Sequence, residues 1–186
     1  RDPCVALSII RRQKLLADNS SRYEMCERLG AGSFGIIFRA TRGTSDVAVE
    51  KMRTSGWKEA LEETYVVERG RNHPRIIQLL DAFSTHEAGN LKAHLAYELW
   101  GTDLGAQVAA NGLLPPQDIR TAIAQVCSAL RFSHCKVEMM HTDVKSSNVL
   151  VARCTEATGQ TLRFKLTDVG SCVEALSSYM SDMFCN

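Results

Sequence analysis

A short polar segment between two apolar runs constrains this sequence more than any other feature. Residues 141–148 read His-Thr-Asp-Val-Lys-Ser-Ser-Asn, after an apolar helical pattern and before the apolar run Val149–Val151. A segment held between a helix and a strand can direct the carboxylate of Asp143, the amine of Lys145 and the amide of Asn148 toward one point. The pattern therefore predicts a catalytic loop.

A second carboxylate follows at Asp168, between a strand-like run and Gly170. A base, a cation and two oxygen ligands for a hard metal ion are what phosphoryl transfer needs, because that chemistry rests on positioning and charge neutralisation. Asp143 and Lys145 are the catalytic candidates, and Asn148 and Asp168 are the metal-ligand candidates. A polar loop with a chance Asp, Lys and Asn explains any one of these residues equally well.

Three glycines form a G-x-G-x-x-G pattern at Gly30, Gly32 and Gly35. In a dinucleotide-binding fold this pattern opens a helix, whereas here the β-branched and aromatic run 36–40 follows it. The context predicts strand, glycine turn and strand, in which the backbone can approach a phosphate closely. The alternative is an ordinary hairpin that contains three glycines.

Composition excludes several classes of function. The chain has 186 residues and a net charge of +1, which provides no electrostatic reason to bind nucleic acid or an anionic membrane. Seven cysteines without a C-x-x-C pair are expected to be thiols in a reducing compartment, and zinc is not expected. No apolar run is long enough for a signal peptide or a membrane span. These features predict an intracellular protein of the cytoplasm or nucleus.

Helix and strand patterns complete the organisation. Strands are predicted at 76–83 and 91–99, and a helix runs from Pro115 to about His134. A weaker helical pattern covers residues 3–17, and another covers residues 57–70. The apolar face predicted for the helix from Pro115 comprises Ile119, Ile123, Val126, Cys127 and Leu130. Exposed apolar surface is expected on this helix.

The order of these motifs resembles the protein kinase family over residues 22–175. The segment 141–148 resembles H-R-D-L-K-x-x-N, Asp168-Val169-Gly170 resembles D-F-G, and Val47-Ala48-Val49 resembles the start of V-A-I-K. The resemblance implies an α+β fold with two lobes, of which the small β-rich lobe is complete and the helical large lobe incomplete. It implies a tail at 1–21, a small lobe at 22–100 and part of a large lobe at 101–186. Because residue 1 is Arg, the chain is expected to be a segment of a longer protein.

The resemblance also implies ATP and Mg²⁺ as cofactors and assigns their contacts. Asp143 would accept the substrate hydroxyl proton, Lys145 would steady the transferred phosphate, and Asn148 and Asp168 would hold magnesium. Backbone groups of Glu98 and Trp100 would hold adenine, and Asp103 would lie near the ribose. The full set of implied nucleotide contacts is Gly30, Gly32, Gly35, Ile37, Ala48, Lys51, Glu63, Glu98, Trp100, Asp103 and Leu150.

The third strand departs from the family pattern. Glu50 stands where the family has its phosphate-pairing lysine, and Lys51 follows one position later. Side chains alternate across a strand, so Lys51 should point away from Glu50 unless a bulge re-aims it. The glutamate that would pair with the lysine is best matched by Glu63, with Glu62 as the alternative.

Three functional hypotheses remain open. The first is a partial serine/threonine protein kinase domain, closest in Thr142 and in Asp168-Val169-Gly170-Ser171 to LAMMER, SR-protein and dual-specificity tyrosine-regulated kinases. The second is a pseudokinase or scaffold, favoured by Glu50 and Val169. The third is a fragment with no function of its own. A protein substrate or scaffold partner is expected, with no nucleic acid and no membrane, and the sequence does not indicate the oligomeric state.

Overall fold

The computed structural model describes residues 20–32, 34–53, 64, 67–69, 73–87, 89–156 and 159–174. The chain divides into two compact units. The N-terminal unit comprises Arg1–Glu68 and Gln78–Leu99, and the C-terminal unit comprises Arg69–Ile77 and Trp100–Asn186. Among the described residues, a sheet dominates the first unit and the two longer helices lie in the second, so the predicted α+β class is confirmed.

The N-terminal unit contains an antiparallel five-stranded sheet in the order β1-β2-β3-β5-β4. The predicted glycine hairpin is present as β1 and β2. Strand β4 begins at Leu79 and not at Ile76, because Ile76 forms a parallel bridge with Leu166 of the C-terminal unit. The strands are β1 (Glu24–Ala31), β2 (Gly35–Arg42), β3 (Ser45–Met52), β4 (Leu79–Glu87) and β5 (Asn90–Glu98).

One face of this sheet carries a core cluster centred on aromatic rings. The rings of Tyr23 and Phe83 stack with centroids 4.7 Å apart, and those of Phe83 and His94 stack with centroids 4.9 Å apart. Val47 and Val49, two positions apart on β3, point to the same face and complete the cluster. Burial, together with the Asp81 carboxylate 3.0 Å from its hydroxyl, raises the pKa of Tyr23 to about 12.

The described part of the C-terminal unit combines two α-helices with two small antiparallel sheets. One sheet has the order β6-β8-β9, and the other pairs β7 with β10. Short 3₁₀ turns lie at Ser146–Asn148 and Val169–Ser171. The elements are β6 (Thr102–Asp103), α1 (Leu104–Asn111), α2 (Pro116–Phe132), a π-helical turn at Ser133–Val137, β7 (Met139–Met140), β8 (Val149–Glu156), β9 (Gly159–Leu166) and β10 (Val173–Glu174).

Helix α2 packs on β9 through small residues. Ala122 and Ala129 are buried in the cluster that contains Phe164 and Leu166, and Val126 and Leu130 are only partly buried against it. The predicted apolar face is therefore wrong in part, because the alanines allow the helix to approach the sheet while larger residues flank the contact. The expected exposed apolar surface is present, since Ile119 is 45% exposed and Ile123 is 59% exposed.

Sequence reasoning missed helix α1. The Asp103 carboxylate caps it by accepting a hydrogen bond of 2.8 Å from the Ala106 amide, and Gly112 ends it with φ 79°. The predicted helix at 3–17 lies outside the described residues. Of the predicted helix at 57–70, only Thr64 and residues 67–69 are described, and they are helical. Glu62 and Glu63 lie outside the described residues.

Cysteine states and membrane contact were also predicted from the sequence. Cys26, Cys127, Cys154 and Cys172 carry free thiols. Cys135 is disulfide-bonded, so the expectation of seven thiols is wrong for this residue; sequence spacing does not reveal which cysteines meet in space. Among the described residues, none of the helices has the length and apolar character needed to cross a bilayer.

Candidate active site

The backbone of the catalytic loop is fixed by hydrogen bonds within the C-terminal unit. His141 is 2% exposed, and its Nε2 lies 2.9 Å from the Thr167 carbonyl oxygen, which can only accept a proton. The Asp143 amide donates to the His141 carbonyl over 2.8 Å, and the Asn148 amide donates to the Lys145 carbonyl over 3.0 Å. A buried histidine therefore anchors the loop to the residue before Asp168.

Three of the predicted site residues lie within hydrogen-bond distance of one another. Lys145 Nζ lies 2.6 Å from Asp143 Oδ2. Asn148 Nδ2 donates to the backbone carbonyl of Asp143 over 2.9 Å and to its Oδ2 over 3.1 Å. Asn148 is 5% exposed, so its amide is held in place by the surrounding structure. The loop thus presents a carboxylate braced by a cation and an amide.

The electrostatics of Asp143 favour its ionised form. A hydrogen bond from Lys145 lowers the pKa of the Asp143 carboxyl, and the Lys145 charge and a hydrogen bond from Asn148 act in the same direction. The same hydrogen bond raises the pKa of Lys145. A carboxylate with a lowered pKa is a weak base but a good hydrogen-bond acceptor at neutral pH. Asp143 is therefore suited to orient a hydroxyl more than to remove its proton early.

Asp168 is in a different environment, directly after β9. Burial raises the pKa of its carboxyl, and the Asp143 charge acts in the same direction, while the Lys145 charge opposes the shift. Its backbone has φ 61° and ψ 60°, a left-handed conformation that costs about 1–3 kcal/mol for a residue other than glycine. A partly desolvated carboxylate held in this way gains stability from a nearby cation.

The Asn148 and Asp168 side chains fit a magnesium ion as a partial ligand set. Both can offer an oxygen, and for Asn148 this is the amide oxygen, since its Nδ2 donates to Asp143. Mg²⁺ typically takes one or two protein oxygens and completes its shell with water and phosphate oxygens. In the described part of the chain, His, Cys, Asp and Glu form no cluster of three or more that could hold a metal ion alone.

The glycine-rich turn of the N-terminal unit lies close to Glu50. A Cβ atom at Gly35 would collide with the Lys51 carbonyl oxygen and would lie 2.9 Å from the Glu50 Cγ. A Cβ atom at Gly32 would lie 3.7 Å from Glu50 Oε1. Glu50 is 8% exposed. A buried carboxyl group therefore lies against the two glycines whose backbone is predicted to cover phosphates.

We expect Gly35→Ala to lower the free energy of unfolding by about 2 kcal/mol, because the methyl group would collide with strand backbone that cannot move independently. Urea denaturation of the chain measures the effect. Gly30→Ala is the matched control, since a Cβ at Gly30 meets nothing within 4 Å. Equal loss of stability in the two variants would contradict the close contact at Gly35.

Lys51 lies on the opposite face of β3 from Glu50. The pairing of β3 with β2 and with β5 is regular, with no bulge to re-aim Lys51. Its Nζ lies 2.5 Å and 2.6 Å from the two carboxylate oxygens of Glu87, and the hydrogen bond lowers the pKa of Glu87. A cavity of about 290 Å³ on this face is lined by Tyr23, Met25, Cys26, Phe38, Lys51, Phe83, Thr85, Glu87 and His94.

We expect Lys51→Met to leave the affinity for Mg²⁺-ATP within about twofold of the parent and to cost only about 0.5 kcal/mol of stability. The ion pair contributes little because the Lys51 and Glu87 side chains are 32% and 43% exposed, so water screens it. Calorimetric titration and urea denaturation measure the two quantities. A tenfold loss of nucleotide affinity would contradict the placement of Lys51 away from the glycine turn.

The remaining predicted nucleotide contacts are distributed over both units. In the N-terminal unit, Ile37 pairs directly with Glu50 across β2 and β3, so Ile37, Ala48 and Glu50 share one face. The Glu98 amide donates to the Gln78 carbonyl over 3.0 Å.

In the C-terminal unit, Asp103 pairs with Leu150 across β6 and β8, and Lys165 lies 4.2 Å from the Trp100 ring centroid.

Two site contacts escaped sequence reasoning. Glu87 is the partner of Lys51 although the two are 36 positions apart. Thr142 Oγ1 donates to the Ser171 carbonyl over 2.6 Å. Neither pair has a local sequence signature, since both contacts depend on how distant strands align. The alternation along β3 was the available signal that Lys51 would need a partner on the other face.

Comparison with known proteins agrees with this geometry. The family described as protein kinase domain matches residues 23–186, and the chain therefore belongs to the protein kinase family. Cyclin-dependent kinase D-1 of Arabidopsis thaliana is 33% identical over 158 residues, covering 81% of this chain and 37% of the relative.

CBL-interacting serine/threonine-protein kinase 7 of Arabidopsis thaliana is 37% identical over 139 residues, covering 70% of this chain and 31% of the relative. Mitogen-activated protein kinase 15 of Xenopus laevis is 30% identical over 176 residues, covering 87% of this chain and 29% of the relative.

The chain spans about a third of the length of the first of these curated relatives. The family match over residues 23–186 shows membership of the protein kinase family and the kinase fold. The activity, substrates and partners of a whole protein remain proposals.

Proposed function

We propose that the chain forms part of an ATP- and Mg²⁺-dependent serine/threonine protein kinase domain. The observation that carries the proposal is the cluster of Asp143, Lys145 and Asn148, with the partly desolvated Asp168 carboxyl directly after β9 in the same unit. These groups supply an oriented acceptor, a cation and hard oxygen ligands within one unit. Phosphoryl transfer to a hydroxyl is the reaction class that uses all of them together.

Each residue has a proposed part in that reaction. Asp143 accepts a hydrogen bond from the attacking hydroxyl and fixes its direction, and Lys145 neutralises charge on the transferred phosphate. Asn148 and Asp168 would hold Mg²⁺, which supplies further neutralisation of phosphate charge when bound. The proposed nucleotide contacts in the N-terminal unit are the glycine turn, Ile37, Ala48 and Glu98. Lys51 is not among them, because it is paired with Glu87 on the other face of β3.

Glu50 favours a second candidate function, a pseudokinase or scaffold with weak catalysis or none. The carboxylate lies against Gly35 and Gly32, where the family has a lysine. A negative charge about 4 Å from a phosphate oxygen costs on the order of 4 kcal/mol at an effective dielectric constant near 20. A domain that binds protein partners tolerates this charge, whereas an efficient phosphotransferase does not.

The class of substrate follows from the loop and from relatives. Lys145, two residues after Asp143, is the arrangement that resembles serine/threonine kinases, and one relative is named a serine/threonine-protein kinase. Thr142 and Ser171 favour the LAMMER, SR-protein and dual-specificity group within that class. We infer a protein substrate or a scaffold partner, and an intracellular location in the cytoplasm or nucleus.

The experiment that tests the proposal is a calorimetric titration of the chain with ATP, with and without Mg²⁺. We expect Mg²⁺ to tighten binding by about tenfold or more in the parent, and Asp168→Asn to abolish this effect, because an amide is a poor substitute for an ionised magnesium ligand. Asp118→Asn is the control, since Asp118 lies in the first turn of α2. Magnesium dependence that survives Asp168→Asn would contradict the assignment.

A further inference from the structure

Thr142 is held in an unusual backbone conformation and makes one specific hydrogen bond. Its φ is 59°, a left-handed value that is uncommon for a β-branched residue. Its Oγ1 donates to the Ser171 carbonyl oxygen over 2.6 Å. The strained conformation therefore coincides with a contact between the catalytic loop and the residues that follow Asp168.

This contact continues the register of the β7–β10 ladder by two residue positions. Glu174 pairs with Met139 and Val173 pairs with Met140, so the same register brings Ser171 opposite Thr142. The left-handed backbone of Thr142 ends the strand geometry at this point. Its hydroxyl then makes the interstrand bond that backbone groups make earlier in the ladder.

The contact closes one side of the turn that carries Asp168. Ser171 ends the 3₁₀ turn Val169–Ser171, which the Cys172 amide closes by donating to the Val169 carbonyl over 3.0 Å. On the other side of Asp168, His141 holds the Thr167 carbonyl. The left-handed Asp168 is thus held on both sides by consecutive residues of the catalytic loop, His141 and Thr142.

We infer that Thr142 is a positioning residue for the Asp168 carboxylate and that its hydroxyl is the group responsible. The side chain fixes the start of the segment after Asp168 through a neutral hydrogen bond, which requires no phosphate on that segment. The part of this inference that concerns Mg²⁺ rests on the proposed function. The part that concerns the turn rests on the C-terminal unit alone.

Three variants of the full chain test the inference. Thr142→Val keeps the branched shape and its backbone strain but removes the hydroxyl, and Thr142→Ser restores the hydroxyl. Thr121→Val is the matched control, because Thr121 Oγ1 donates to the Gln117 carbonyl over 2.9 Å in α2 of the same unit. The readouts are hydrogen exchange of the Cys172 and Val173 amides without nucleotide, and the Mg²⁺ concentration that half-saturates the tightening of ATP binding.

We expect Thr142→Val to speed exchange of these amides about fivefold and to raise the half-saturating Mg²⁺ concentration by a similar factor, as the loss of one hydrogen bond implies. Thr142→Ser and Thr121→Val should match the parent in both readouts. Unchanged exchange in Thr142→Val, or equal effects of Val and Ser, would overturn the inference. A parent that shows no Mg²⁺-dependent ATP binding contradicts the proposed function and the Mg²⁺ part, and exchange alone then decides whether Thr142 holds the turn.

Discussion

Glu50→Lys is expected to increase phosphoryl transfer to a serine- or threonine-containing peptide by about a hundredfold, the usual effect of one preorganised electrostatic partner. Glu50 is buried against the glycine turn, and Ile37 and Ala48 share its face of the sheet. A lysine at this position would place a cation where the parent has a carboxylate. The initial rate of phosphate incorporation at saturating Mg²⁺-ATP measures the gain.

Glu50→Gln separates the two contributions to that gain. It removes the negative charge and retains nearly the same shape, so it should raise the rate by about tenfold through relief of repulsion alone. Circular dichroism must show that both variants remain folded, because a buried lysine is costly when it has no anionic partner. Folded variants with the parental rate would show that the Glu50 carboxylate does not limit the reaction.

Asp143→Asn should lower the same rate by about a thousandfold, within the usual range for loss of an acid–base or orienting group. The measurement is best made in the Glu50→Lys background, where the starting rate is highest. Asparagine keeps the size of Asp143 and can keep its contact with Asn148, but it loses the charge that pairs with Lys145. The affinity for ATP should change by less than about threefold, since the effect is on the transfer step.

Asp118→Asn provides the control for Asp143→Asn, because it makes the same chemical change in the first turn of α2. Its rate should equal that of the background variant. A small effect of Asp143→Asn, comparable with that of the control, would remove Asp143 from the catalytic group. It would then favour the scaffold function for the domain.

The C-terminal unit has features that favour catalysis, whereas the N-terminal unit has features that oppose it. In the C-terminal unit, the ionised Asp143, the Lys145 ammonium and the partly desolvated Asp168 form a charge arrangement suited to phosphoryl transfer. In the N-terminal unit, the Glu50 carboxyl lies at the glycine turn while Lys51 is engaged with Glu87. A single substitution at Glu50 therefore distinguishes a weakened kinase from a scaffold that retains a kinase fold.

The sequence alone determined features that depend on local pattern. Alternation along β3 indicated that Glu50 and Lys51 would lie on opposite faces, and their faces in the sheet follow that alternation. The glycine turn and the α2 helix were also predictable, because each has its own composition signal. The pattern at 141–148 predicted the site residues Asp143, Lys145 and Asn148, which the structure brings into contact.

Only the tertiary structure decided the features that depend on distant partners. The Glu87 partner of Lys51 follows from the way β3, β5 and β4 align, and the Ser171 partner of Thr142 follows from the register of β7 with β10. Ile76 was predicted to lie in a strand with the residues after it, but in the structure it pairs with Leu166, which is far along the chain. Local periodicity specifies which way a side chain points, whereas register between separate segments specifies what it meets, and register is set by the packing of the whole unit.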